Sequence, residues 1–178
     1  MLLWHLGMTT LAARYVFRDP NMDLRWLALG ALLPDIVDKP IGAIFWNDVF
    51  HNHRVYAHSL LLPVLALAGA MIFTRRRSVS RKAAIVVVLG WFLHLILDGV
   101  WASPGAFLWP LFGFDFPRVA GSDFGTLVGN MISNPLVWLG EVAGAAYLIY
   151  LWRSHLGEPG AVARFLRDGK VTHSLRVR

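Results

Sequence analysis

Residues 83–103, AAIVVVLGWFLHLILDGVWAS, decide the fold class of this chain. The run is long enough to cross the ~30 Å of hydrocarbon in a bilayer as a single α-helix. It nevertheless contains a histidine and an aspartate, His94 and Asp98, in its second half. Ionisable groups at membrane depth are costly, so they pair, face a cavity or bind a ligand. The stretch therefore predicts both a membrane helix and a site.

Four further apolar runs flank this helix. Residues 135–152 are nearly as long and begin on a proline, which suits the first turn of a helix. Residues 59–74 are shorter, with Pro63 in or near the first turn. Residues 2–17 and 24–37 are apolar but short. We therefore expect an all-α, polytopic membrane bundle of about five apolar helices, some of which cross only part of the bilayer.

The composition agrees with a membrane protein. Of the 178 residues, 56% are apolar and only 16% are charged, which is unusual for a soluble domain of this size. The chain has no cysteine, so disulfides and thiolate zinc sites are excluded. We expect residues 1–152 to form the membrane-embedded domain and residues 153–178 to form a basic cytoplasmic tail. A soluble protein with a buried all-helical core is a weaker alternative.

The distribution of positive charge along the chain indicates how the protein is oriented in the membrane. The net charge is +6, and the stretch 75–82 alone holds five of the 17 Lys and Arg residues. If basic loops stay in the cytoplasm, five alternating helices place the N-terminus outside and the C-terminus inside. Only Lys39, Arg54 and Arg118 then lie on the outer side. One topology explains the charge, so we expect no nucleic-acid partner and place the protein in a bacterial-type inner membrane, among lipids.

With this topology, the intramembrane polar residues gather at one depth, towards the outer face. His94 and Asp98 are four residues apart, and thus lie on one helix face. Imidazole and carboxylate groups suit a divalent metal such as Zn²⁺. The residues at this depth are His5, Asp35, Asp38, His51, His53, Arg54, His58, His94, Asp98 and Glu141.

The stretch HNHRVYAHS at 51–59 spells the letters of the HNH nucleases but is not their signature. Those enzymes spread the named residues over a ββα unit, whereas His51, Asn52 and His53 are contiguous here. The informative residues of the stretch are instead Arg54 and His58.

Four motifs carry a resemblance to a known family. GALLPDIVDK (30–39), HRVYAHSL (53–60), HLILDGVW (94–101) and LWP (108–110) resemble the YdjM-like family of inner-membrane-associated metal-dependent hydrolases. The resemblance covers most of residues 1–112 and fades beyond Pro110. The family is in turn distantly similar to zinc-dependent phospholipase C and P1 nuclease, which are helical proteins with clustered zinc ions.

The resemblance implies a set of metal ligands. In the wider group, residues matching Asp35, His58, His94 and Asp98 bind one zinc. A residue matching His5 binds a neighbouring zinc, and the match to Asp98 bridges the two. Where those enzymes carry a further histidine for a third zinc, this chain has Ser103 and Pro104. The resemblance therefore implies one or two divalent ions. His53, which belongs to the matching pattern, and Glu141, which lies beyond it, are additional candidate ligands.

Several of these residues also have simpler interpretations. His94 and Asp98 could form a buried hydrogen-bonded pair between helices, and Asp35 could end a helix at the interface. We expect Asp38 to pair with Lys39. Arg54 either clamps a substrate phosphate or extends to lipid headgroups.

Other polar and aromatic residues also have simpler interpretations. Glu141 lies between Gly140 and Gly144, a spacing typical of close helix packing, and is either a ligand or a pair partner. We expect His51, His155 and His173 to be solvated. The aromatic stretch at 107–116 is either an interfacial belt or the lip of a substrate entrance.

These observations predict a membrane-bound, metal-dependent hydrolase. Its substrate would be a phosphoester, such as a lipid headgroup linkage, reached near the outer leaflet. Metal-activated water would attack it, because a bound metal lowers the pKa of water to about 7. Asp35 would orient or deprotonate that water, and Arg54 would hold the phosphate. The alternative is a non-enzymatic metal- or lipid-binding scaffold or a small transport subunit.

Overall fold

The computed structural model describes residues 1–171, which are helical and contain no strand. His173, which the sequence predicts to be solvated, lies outside the described residues. Three pairs of α-helices and three short helices follow one another along the chain. They are α1 (Leu2–Ala12), α2 (Leu24–Lys39), α3 (Asn47–Phe50), α4 (Leu61–Phe73), α5 (Val79–Leu97), α6 (Pro104–Phe107), α7 (Phe124–Ser133), α8 (Pro135–Leu151) and α9 (Ala161–Asp168).

Within the described part of the chain, two helices are long and apolar enough to cross a membrane. They are Val79–Leu97 and Pro135–Leu156, the second being α8 with its π-helical continuation. The expectation of about five spanning helices is therefore wrong. Helix α1 has 11 residues and α4 has 13, which is too short. Helix α2 carries charged residues near both ends, Arg25, Asp35, Asp38 and Lys39.

The bundle is held at two crossings where glycine lets backbones touch. A Cβ on Gly30 of α2 would overlap the Val87 carbonyl of α5, and one on Gly90 would overlap the Leu27 carbonyl. Helices α1 and α8 meet in the same way at Gly7 and Gly144. The close packing predicted from the glycine spacing around Glu141 is thus confirmed.

The prolines lie where helix geometry tolerates them. Pro135 occupies the first position of α8, behind the capping side chain of Asn134, which accepts a hydrogen bond from the Leu136 N–H group. Pro63 is the third residue of α4, so that it removes no intrahelical hydrogen bond. Both agree with the expectations from the sequence.

The C-terminal segment packs against the bundle. The Arg25 guanidinium donates to the Leu166 carbonyl at 2.6 Å, one of the last carbonyls of α9. The Leu24 N–H group donates to the Gly169 carbonyl at 2.7 Å. Val171 is buried in a cluster with Leu24, Leu27 and other apolar side chains. The part of the predicted tail up to residue 171 is therefore attached to the start of α2.

The helix directions separate two ends of the molecule. Helices α1 and α8 run in opposite directions, and the Arg14 guanidinium lies 3.2 Å from the His155 ring, at one end of that pair. Glu141 and the start of α1 lie at the other end, where Glu141 Oε2 accepts the Leu3 N–H group at 2.9 Å. We call the end that holds Arg14, Arg25 and the turn at 75–78 the basic end. His155, expected to be solvated, is half-buried there.

The crossing of α2 and α5 gives a test of the packing. We expect Gly30→Ala to lower the free energy of unfolding by about 1–3 kcal/mol, because the added methyl group meets backbone that cannot rotate away. Thermal unfolding of the purified protein in detergent measures the effect.

Gly69→Ala is the matched control. A Cβ at Gly69 has only the Phe73 ring near it, at 3.9 Å, and alanine favours a helix over glycine by up to about 1 kcal/mol. Equal melting temperatures for the two variants would contradict the close crossing at Gly30.

Candidate metal centre

The predicted site residues come together from four parts of the chain. His5 lies in α1, Asp35 in the last turns of α2, and His58 in a short 3-10 turn before α4. His94 lies near the end of α5, and Asp98 is its C-terminal cap. All three histidines are buried, with exposed fractions of 0–1%.

Asp38 fixes the position of His58. The carboxylate is fully buried and accepts hydrogen bonds from the Val55, Ala57 and His58 N–H groups, each at 2.9 Å. Its Oδ2 atom also accepts from the His58 Nδ1–H group at 2.7 Å. Asp38 Oδ2 already accepts backbone N–H groups and is the acceptor in this contact too, so His58 carries hydrogen on Nδ1 and presents Nε2 to the other side chains of the site.

His94 and His5 are held in the same tautomer. His94 Nδ1 lies 2.6 Å from the Ala31 carbonyl oxygen, which can only accept, so this nitrogen carries the proton. His5 Nδ1 likewise donates to the Met1 carbonyl oxygen. The two rings stack with their centroids 4.0 Å apart. Backbone carbonyls thus leave the Nε2 lone pair of each ring available.

The three lone pairs face one another and two carboxylates. His58 Nε2 and His94 Nε2 are 3.3 Å apart. Asp35 Oδ1 lies 3.7 Å from His58 Nε2 and 3.9 Å from His94 Nε2. Because His58 and His94 both carry hydrogen on Nδ1, their Nε2 atoms are both acceptors. Two acceptors this close need a cation or an extra proton between them.

Asp98 connects this group to His5. Its Oδ2 atom lies 3.6 Å from His58 Nε2, and its Oδ1 atom lies 3.9 Å from His5 Nε2. His5 Nε2 is buried and has no hydrogen-bond partner. Two groups of ligand atoms therefore form, each within 4.8 Å: His5, His94 and Asp98, and Asp35, His58 and His94. The donor set fits one or two divalent ions, and Nδ1 bonds to protein oxygens are the usual second contact of metal-binding histidines.

Two cations flank the carboxylates. Lys39 Nζ donates to Asp35 Oδ2 at 2.6 Å, and Arg54 Nε lies 2.7 Å from Asp98 Oδ2. The expectation that Asp38 pairs with Lys39 is therefore wrong, because Asp38 turns inward to the 55–58 backbone. Arg54 reaches the predicted metal centre itself.

A cavity of about 130 Å³ opens beside these groups. The charged residues Asp35, Lys39, Arg54 and Asp98 form part of its wall. Its other residues include an apolar set from α7 and α8, Leu127, Met131 and Val137.

The remaining candidates lie around this centre. His53 lines the cavity, and burial, together with the neighbouring Arg54 cation, lowers the pKa of His53 to about 4. Its Nδ1 atom is buried without a hydrogen-bond partner, but His53 belongs to neither ligand group. Glu141 also belongs to neither group, and its Oε2 atom instead caps the start of α1. Metal binding by these two residues stays a prediction.

The aromatic stretch at 107–116 lies beside the centre. Trp109 and Phe116 stack, and Tyr56 contacts both rings edge-on. Leu111 and Phe114 are exposed by 82% and 80%. This exposure suits an interfacial belt.

The contacts of Asp38 and Lys39, and the cavity wall from α7 and α8, are the parts of the site that the sequence did not reveal. Asp38 is only three residues from Asp35 in the same helix, so the motif contained it, but its partners are backbone N–H groups 17–20 residues away. The wall from α7 and α8 has no polar residue and thus no signal in the sequence.

A model of the family described as YdjM inner membrane protein matches residues 2–157. The chain belongs to this family. The match extends well beyond Pro110, where the resemblance of individual motifs fades. Membership in the YdjM family and the two apolar helices support association with a membrane. Comparisons with curated proteins and with solved structures find no match.

The ligand geometry predicts which substitutions remove metal. We expect His58→Ala, His94→Ala and Asp98→Ala each to lower the zinc bound per purified protein molecule, as measured by atomic emission. Asp38→Asn should weaken zinc binding by about 10–100-fold, because it loosens the His58 ring without removing a ligand.

His155→Ala is the control, since this histidine lies at the basic end beside Arg14. Full zinc content in the three ligand variants would identify the cluster as a hydrogen-bond network around an extra proton.

Proposed function

We propose that this YdjM-family protein is a membrane-bound, metal-dependent hydrolase that acts on a phosphoester near the outer leaflet. The observation that carries the proposal is the convergence of three imidazole Nε2 lone pairs beside two carboxylates. A cavity next to the ligands supports hydrolysis over a structural role, because structural metal sites are closed and catalytic sites keep an open position.

Each residue would have a distinct role. Asp35, His58, His94 and Asp98 would hold the first ion. This ion would occupy the Nε2 lone pair of His94, which would then not be free for a second ion. A second ion would need His5 and the other oxygen of Asp98, with the aspartate as the bridge. A bound divalent ion would supply Lewis-acid activation of water and of a phosphoryl oxygen.

The surrounding residues would position the substrate and move the proton. Arg54 would hold a phosphoryl oxygen with the guanidinium edge that does not contact Asp98. Asp35 is shared between the histidines and Lys39, so it suits both ligation and acceptance of a proton from the attacking water. Asp38 would act through His58 alone.

The proposed orientation places the metal centre outside and the basic end in the cytoplasm, as expected from the distribution of Lys and Arg. Accessibility tags at the C-terminus and within residues 75–82 should then report the cytoplasm, and a tag near residue 120 should report the opposite side. Cysteine labelling suits this chain, which has no native cysteine. A cytoplasmic signal at residue 120 would reverse the orientation and move the proposed site to the inner leaflet.

Two substitutions separate metal binding from substrate binding. Asp98→Asn removes a charge that would neutralise the ion, so zinc content and hydrolysis should fall together. Arg54→Lys keeps the charge but loses the two-pronged fork. It should retain zinc, raise KM for bis-p-nitrophenyl phosphate and leave the melting temperature nearly unchanged, because lysine keeps a positive charge beside the Asp98 carboxylate.

Asp35→Asn completes the comparison. Zinc kept with activity lost would make Asp35 the base, and loss of both would make it a ligand. If the zinc-loaded native protein cleaves no phosphodiester, phosphomonoester, ester or amide, the scaffold alternative replaces the hydrolase.

A further inference from the structure

The cavity beside the metal centre has two walls of different chemistry. Lys39 and Arg54 bring positive charge to one wall, next to Asp35 and Asp98. Leu127 and Met131 of α7 and Val137 of α8 bring only apolar side chains to the other wall. A ligand that contacts both walls must be amphiphilic, with an anionic end at the metal centre.

The charges on the polar wall define how anionic that end is. The amino group of Met1 also lines this cavity, 3.9 Å from Asp35 Oδ2. Lys39 and Arg54 alone balance the two carboxylates, and an imidazole that bears hydrogen on Nδ1 and presents an Nε2 lone pair carries no charge. One divalent ion therefore leaves at least two uncompensated positive charges facing the cavity, and two ions leave at least four. Asp38 lies behind His58, where four donors already stabilise its charge.

This balance favours a terminal phosphate over a phosphodiester. A diester carries a single negative charge, whereas a phosphomonoester carries about −1.5 to −2 at pH 7 and presents three strong acceptor oxygens. The two cations and the ion together offer partners to all three oxygens. A diester would leave one of these cations without an anionic oxygen.

The apolar wall lies between the cavity and the exposed apolar surface of α7 and α8. In α7, Leu127 and Met131 turn towards the cavity, whereas Ile132 and Phe124 are 63% and 51% exposed. In α8, Val137 turns inward and its neighbours Leu136 and Trp138 are exposed. One layer of side chains thus separates the cavity from surface suited to lipid tails.

We propose that the substrate is a lipid with a terminal phosphoryl group, that is, a phosphomonoester or diphosphate on a hydrocarbon chain. Lys39 and Arg54 bind the phosphoryl oxygens, and Leu127, Met131 and Val137 contact the first part of the chain. The proposal rests on the function proposed above and narrows its substrate class. Lys39 becomes a specificity-determining residue.

The reaction is a simple hydrolysis. The oxygen of water forms a bond to the terminal phosphorus, and the bond from phosphorus to the bridging oxygen breaks. The bridging oxygen keeps the electron pair and takes up the proton that the water loses. A phosphomonoester gives the lipid alcohol and inorganic phosphate, and a diphosphate gives the lipid monophosphate and inorganic phosphate.

Binding of a non-hydrolysable pair of ligands tests the charge argument. The pair is 1,1-difluorododecyl phosphonate, which is doubly charged at neutral pH, and its monomethyl ester, which is singly charged. Calorimetry on the zinc-loaded protein in detergent should show that the dianion binds at least about tenfold more tightly than the monomethyl ester. This difference is the effect of one more charge-assisted contact. Lys39→Met should remove most of this preference.

Arg118→Met is the charge control, because Arg118 lines a different cavity, with Phe50, Phe114 and Phe116. It should keep the full preference for the dianion. Equal affinity of the native protein for the two ligands, or an equal loss of preference in Arg118→Met, would overturn the proposal.

The apolar wall is tested by a pair of substitutions on opposite faces of α7. Leu127→Ser should weaken binding of the dodecyl ligand but leave the affinity for inorganic phosphate unchanged. Ile132→Ser, on the exposed face, should change neither. Equal effects of the two variants on dodecyl binding would overturn the placement of the chain.

Turnover separates this proposal from the hydrolase proposal. Dodecyl phosphate and dodecyl diphosphate should be cleaved faster than methyl dodecyl phosphate, and phosphate release should identify which of the first two is preferred. Faster cleavage of the diester would keep the hydrolase and overturn the terminal phosphate. Selective binding of the dianion without any cleavage would keep the ligand class and overturn the hydrolase.

Discussion

The contact of α2 with α5 at Gly30 and Gly90 is the constraint on which the candidate metal centre depends. Because neither residue has a side chain, the two backbones touch, and the carbonyl oxygen of Ala31 comes within 2.6 Å of His94 Nδ1. Next to Gly90 in α5, the Trp91 indole N–H group donates to the Ala57 carbonyl of the 3-10 turn at 2.7 Å. A bulkier pair at this crossing would separate the histidine from the oxygen that sets its tautomer.

Asp38 is the second element that organises the centre. It lies one turn below Asp35 in α2, yet it faces the 55–58 segment and holds that segment by its N–H groups and by the His58 ring. The Asp38 carboxylate thus fixes the irregular 55–58 segment, which carries the candidate ligand His58. An unpaired charge at this depth would be costly, and the four donors explain why the side chain can be fully buried.

The sequence predicted which polar side chains come together better than it predicted the number of spanning helices. His5, Asp35, His58, His94 and Asp98 do come together, since spacing and motif order restrict where such groups can go in an apolar chain. The number of spans was overestimated, because short apolar runs such as 61–73 satisfy a hydropathy pattern without the length to cross. The partners of Asp38 could not be foreseen, because backbone N–H groups are the same in every residue. The cavity wall from α7 could not be predicted either, because its apolar residues do not differ from the many other apolar residues of the chain.

The short length of α4 affects how deep the metal centre lies. Its 13 residues rise about 20 Å, from the segment just after His58 to the basic end. The bilayer hydrocarbon is ~30 Å thick, so a centre at that height lies roughly 10 Å beneath the far boundary if the basic end is at the near one. Either the bilayer thins around this face of the bundle, or the phosphate of the proposed lipid substrate moves below the neighbouring headgroups to reach the candidate ligands. In both cases the lipids around the protein would lie at a different height from the rest of the leaflet. The free energy of deforming the membrane would then contribute to the free energy of binding.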